Sequence, residues 1–164
     1  MQGARTGFPM TELYLFVKWL HIAAAAIAFG SNITHLFWLM AANACDRPAR
    51  RAELLRLVKK IDDYMAIPAY IILVICGVVM WIWHWPIDSS WIIVSLVLTL
   101  LLSAMGVSFG PFMKRWIRMA KEGPDGPDGD QLEGLTRALT IWWAFFVVAV
   151  PVILYFMVRK PVFW

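Results

Sequence analysis

The chain has 164 residues, of which 61% are hydrophobic and only 16% charged, and its mean hydropathy is +0.67. That composition excludes both a soluble globular domain and a disordered chain, and marks an integral membrane protein. The formal net charge of +4 calls for no nucleic-acid partner, because the basic residues gather where membrane topology places them.

A helical span needs about 20 mainly apolar residues, and the chain offers four, at about 13–42, 66–86, 91–112 and 138–158. The fold predicted is all-α, an integral membrane four-helix bundle using residues 1–164 as a single domain. No basic segment followed by a short apolar core and a small-residue cleavage site opens the sequence, so no removable signal peptide is expected.

The first span carries Lys18, His21, Ala25, Ala28, Asn32 and His35 at alternating steps of three and four, which on an α-helix form one narrow stripe. Ionisable groups in hydrocarbon are costly, so the stripe is expected to face other helices, a cavity or a cofactor. Asp46-Arg47-Pro48 reads as a turn. From Ala49 to Tyr64, Leu54, Leu57, Val58 and Ile61 recur at helical spacing among charges, predicting an amphipathic helix that leads into span two, with Pro68 kinking the junction. The short Ile87–Ser90 segment makes spans two and three antiparallel neighbours. Span three bears Ser95, Thr99, Ser103, Gly106 and Gly110, a small-residue stripe suited to close helix approach. The acidic, turn-rich Glu122–Asp130 segment lacks the glycine and terminal glutamate of a calcium loop and reads as a linker.

The connections between spans one and two and between spans three and four hold eleven of the fifteen Lys and Arg residues. Both connections are therefore expected in the cytoplasm and both termini outside. Trp83, Trp85, Trp91 and Trp164 fall at the predicted outer boundary, and Trp38 and Trp116 at the inner one. Cys45 and Cys76 differ in depth and form no disulfide framework.

Of the candidate chemical residues, His21 and His84 stand out. Span one runs inward and span two returns, so both histidines are expected in the outer leaflet. Two histidines at one depth on different helices suit axial ligation of one b-type haem, with Ala25 and Gly77 leaving room for the macrocycle and Lys18 pairing with a propionate. The bland alternative is that each histidine bonds a neighbouring helix or water. His35 is roughly 21 Å from His21 at about 1.5 Å per residue, and with Asn32 is expected to line a polar crevice or bond between helices, or to contact a quinone headgroup. Cys76, Met80 and His84, at successive steps of four, offer an alternative copper(I) ladder. No phosphate loop, Cys-x-x-Cys pair or nucleophile–base arrangement is visible, so the chain is not expected to be an enzyme on its own.

The run Leu13-Tyr14-Leu15-Phe16-Val17-Lys18-Trp19-Leu20-His21, the Asp62/Asp63-to-Pro68 approach to span two, Gly77, Trp91 and the Arg159-Lys160-Pro161 ending together resemble an uncharacterised bacterial family of predicted four-helix integral membrane proteins. That family is distantly similar to the copper-resistance CopD-type membrane domain and to HemJ-type protoporphyrinogen oxidase, whose first span opens on a Lys-x-x-His motif matched here by Lys18 and His21. The later-span lysine of the HemJ type has no counterpart between Lys60 and Lys114. The resemblance implies a haem- or copper-related bundle, multi-pass in the bacterial inner (plasma) membrane. Membrane electron transfer with one haem b is the function expected. The alternatives are a non-catalytic accessory subunit of a larger respiratory or photosynthetic complex, and copper handling. The lipid bilayer is the partner expected in every case, with other membrane-complex subunits or a quinone beyond it.

Overall fold

A computed structural model describes residues 8–123 and 129–163. Every regular element among them is helical: α1 (Phe8–Asn43), α2 (Pro48–Ile61), a π-helical turn (Asp62–Ala66), α3 (Ile67–His84), α4 (Ser90–Ser108), α5 (Gly110–Glu122) and α6 (Gly129–Arg159). Four helical stretches are long and apolar enough to cross a membrane. Most of the acidic segment read as a linker lies outside the described residues.

Helix α1 has 36 residues, about 54 Å at about 1.5 Å per residue, longer than a hydrocarbon core of about 30 Å. Its polar stripe turns inward as the spacing predicts. Ala28, Asn32 and His35 are buried, while Lys18, His21 and Ala25 line a cavity. The rest of the helix leaves large apolar side chains such as Phe16, Trp19 and Phe37 exposed, which is the surface a bilayer covers.

At the Pro68 junction the helix does not break. Residues at both borders of the π turn keep right-handed helical angles, and α2, the π turn and α3 form one uninterrupted rod. A proline inside a helix clashes with the carbonyl four residues earlier, which here belongs to Tyr64, inside the wider turn. The π turn absorbs that clash without a break.

Span three also differs from its predicted bounds. Helix α4 ends at Ser108, and α5 restarts at Gly110 with Pro111 in its first turn, where a missing N–H costs nothing. Helix α5 is amphipathic. Met113, Trp116, Met119 and Ala120 are buried, while Lys114, Arg115, Arg118 and Lys121 are exposed.

Helices α2 and α5 pack on each other, α2 also against α1 and α5 against α6, forming a closed basic end. Leu39, Leu55, Val58 and Trp116 are fully buried there among Met113, Met119 and Leu139. Two side-chain hydrogen bonds cross this core: Trp116 Nε1 donates to Thr136 Oγ1 at 2.8 Å, and Asn43 Nδ2 to Thr140 Oγ1 at 3.0 Å. Arg51 Nε donates to the Ala42 carbonyl at 3.1 Å, satisfying one of the carbonyls that the end of α1 leaves without a helical partner.

The opposite end carries the tight α3–α4 hairpin and is open. The small-residue stripe of α4 divides by depth. Ser95 and Thr99 are buried, but a Cβ on Gly106 or Gly110 would meet nothing within 4 Å. The glycines therefore do not mark a close helix crossing.

Candidate functional site

A cavity of about 640 Å³ opens at the hairpin end between α1, α3, α4 and α6. Its walls are mainly aliphatic and aromatic, with Trp81, Trp85 and Trp91 prominent, and its polar lining includes Tyr14, Lys18, His21, Thr99 and Lys160. Among the described residues no carboxylate lines it. An apolar chamber with cations at an exposed rim suits a flat or elongated apolar ligand that ends in anions.

His21 is positioned by two features of α3. Its Nδ1 lies 2.9 Å from the Leu73 carbonyl oxygen. A carbonyl can only accept, so Nδ1 carries the proton and Nε2 keeps its lone pair. Gly77, one turn further along α3, makes room for the ring, since a Cβ there would stand 3.2 Å from His21 Cε1. Gly77 thus accommodates the histidine itself, where the sequence suggested space for a ligand. Nε2 makes no hydrogen bond to a described residue. Imidazole metal ligands are commonly fixed in this way, by a carbonyl on the ring's other nitrogen.

His84 is placed elsewhere. It is exposed and does not line the cavity. Its ring packs against Tyr14, with centroids 5.1 Å apart, and edge-on against Trp85 at 5.7 Å. Tyr14 precedes His21 by two helical turns, about 10 Å at about 1.5 Å per residue. The structure therefore does not bring His21 and His84 together. The two helices stay antiparallel as expected, but α3 continues past the level of His21 before His84 is reached.

The copper ladder is likewise spread out. Cys76 is buried, Met80 lines the cavity and His84 is exposed, so its ends are about 12 Å apart at about 1.5 Å per residue. Among the described residues, no three His, Cys, Asp or Glu side chains converge on a common point.

Lys160 is the site residue that sequence reasoning missed. It ends α6 in the left-handed region, φ 51°, with its N–H donating to the Phe156 carbonyl at 2.9 Å. That conformation costs a non-glycine residue roughly 1–2 kcal/mol. It turns the chain back so that Nζ sits 4.3 Å from the Trp85 ring centroid and 5.8 Å from that of Trp91. The returning tail is tied down where the Phe163 N–H donates to Ser90 Oγ at 3.0 Å. A lysine before a proline at a helix end was the available signal, but its position depends on this reversal.

His35 and Asn32 part company deeper in the bundle. Asn32 Nδ2 donates to Tyr70 Oη at 2.7 Å. His35 is 0% exposed, meets the edge of Trp143 at 4.8 Å between centroids, and has no hydrogen-bond partner among the described residues on either ring nitrogen.

The fold and the cavity define a class: a four-span helical membrane protein with a ligand-sized chamber near one end. The chain belongs to the family described as "Predicted integral membrane protein (DUF2269)", which it matches over residues 15–161. No curated protein and no solved structure matches it.

Proposed function

We propose that the hairpin-end cavity holds one b-type haem with His21 Nε2 as axial ligand, and that the protein carries single electrons within the membrane. The observation that carries this reading is the His21 Nδ1 bond to the Leu73 carbonyl. It fixes the tautomer and ring plane and reserves a lone pair in a chamber lined by apolar and aromatic side chains. Lys18 and Lys160 at the rim supply the two cations that a pair of propionates needs, and no described carboxylate in the lining competes for them. Bound there, haem would supply a one-electron iron couple. The imidazole and the low dielectric of the chamber would tune its potential. The basic end faces the cytoplasm in this proposal, following the basic connections, so Cys45 reacts with a membrane-impermeant thiol reagent only in inside-out vesicles.

Protein isolated in mild detergent from haem-replete cells is expected to carry about one b-type haem, lost in His21→Ala and kept in His84→Ala. Colourless, folded wild-type protein would contradict the proposal and favour the accessory-subunit reading. Stoichiometric copper, lost in Met80→Ala, would favour copper handling.

A further inference from the structure

A second cavity, of about 340 Å³, lies toward the basic end and shares Val74 with the first. Its polar groups are Asn32, Asp62, Tyr70 and Ser103, and no described basic side chain lines it. Ile71 and Ile75 of α3 and Leu100 and Val107 of α4 also line it, and each is at least 50% exposed. In a bilayer those side chains face lipid, so the cavity opens sideways between α3 and α4. That opening admits a membrane-dissolved molecule.

Hydrogen-bond accounting specifies the polar part of that molecule. Tyr70 Oη accepts from Asn32 Nδ2, which leaves its own O–H proton to donate. No described residue takes that proton, and none donates to Asn32 Oδ1. Asp62 opens the π turn, an element that recurs at functional sites. The nearby Lys59 ammonium is held by both oxygens of Asp63, at 2.7 and 2.8 Å, and Asp62 makes no ion pair with a described residue. Helical side chains lean toward their own N-terminus, so Tyr70 reaches back along α3 toward Asp62. The site therefore presents a donor and acceptor together at Tyr70–Asn32 and a second acceptor at Asp62, with the aromatic side chains of Trp143 and Phe146 in the wall.

We propose that this cavity binds the headgroup of a lipid-soluble para-hydroquinone that enters from the bilayer between α3 and α4. One ring hydroxyl accepts from Tyr70 and donates to Asn32 Oδ1, and the other donates to the Asp62 carboxylate. A lipophilic cation would satisfy Asp62 but leave the Tyr70 proton without an acceptor. A simple lipid alcohol would satisfy one end only. The assignment stands whether or not the hairpin-end cavity holds haem.

The test is equilibrium binding of a decyl-substituted benzohydroquinone, kept reduced, to the purified full chain in detergent. Saturable binding near one per chain is expected. It should weaken about tenfold in Tyr70→Phe and in Asp62→Asn, as loss of a hydrogen bond to a charged or well-placed partner predicts. Thermal midpoints of both variants, read by circular dichroism, show whether they remain folded; if Asp62→Asn does not, Tyr70→Phe alone decides. His21→Ala should bind the probe as wild type does, which separates this site from the haem proposal. Absence of saturable binding would overturn the assignment, as would equal binding by folded Tyr70→Phe. Displacement of the probe by decanol at similar concentrations would overturn it in favour of a generic hydroxyl lipid, and Asp62-dependent displacement by tetraphenylphosphonium in favour of a lipophilic cation.

Discussion

The two ends of this bundle are built on opposite principles. At the basic end, two amphipathic helices close over the bundle, Trp116 and Leu55 are 0% exposed, and Trp116, Asn43 and Arg51 all have hydrogen-bond partners. At the hairpin end the same four spans diverge around about 640 Å³, and the polar groups there point into space that a ligand can fill. Lipid gives helices no hydrophobic reason to associate, so a bundle that keeps a chamber at one end needs packing elsewhere. The basic end supplies it.

Substitutions at the packed end should therefore have the largest effects. Trp116→Ala removes a fully buried indole and leaves Thr136 Oγ1 without its donor, and is expected to cost about 3–5 kcal/mol in a detergent-unfolding titration. Met80→Leu, in the chamber wall, conserves volume and should cost less than about 1.5 kcal/mol. Similar losses for the two would erase the contrast between the ends.

Glycine replacements sharpen the comparison because one chemical change should act in two directions. Gly77→Ala presses a methyl to 3.2 Å from His21 Cε1, so it should destabilise by about 1 kcal/mol and weaken haem retention. Gly106→Ala meets nothing within 4 Å and should stabilise by about 0.5–1 kcal/mol through helix propensity. Equal signs for the two would show that Gly77 is not the seat of the His21 ring.

The two histidines of α1 differ in the same manner. His21 is held by a carbonyl, while His35 has neither nitrogen paired among the described residues. An unpaired buried polar group costs about 1–3 kcal/mol, so His35→Leu is expected to leave the unfolding midpoint unchanged or raise it. A clear drop would mean that water or a ligand satisfies the ring. The smallest effect is expected at Lys160, where Lys160→Gly relieves a left-handed conformation costing roughly 1–2 kcal/mol but loses the contact with Trp85, worth about 0.5–1 kcal/mol at an exposed site. A net change within about 1 kcal/mol is expected, accompanied by weaker binding of anionic ligands.

The four spans and the inward stripe of α1 were legible because hydropathy and the 3.6-residue period act locally. Helix α5 carried the same kind of signal in Met113, Trp116, Met119 and Ala120, but the intervening basic residues were read only as topology markers. The π turn depends on how Pro68 is accommodated by a continuous rod, which no spacing reveals. His21 could be singled out from one helix alone. The depth of His84 depends on the register between α1 and α3, and the place of Lys160 on a chain reversal after α6. Both are tertiary facts. The inner cavity was visible only in part: Asn32 was marked as polar lining, but Tyr70 and Asp62 join it through packing.

Titration of haemin into the purified apoprotein, followed by absorption, tests the central claim most directly. The account predicts saturation near one equivalent for wild type and His84→Ala, and no saturable uptake by folded His21→Ala. Equal uptake by wild type and His21→Ala, or none by the wild type, would contradict it.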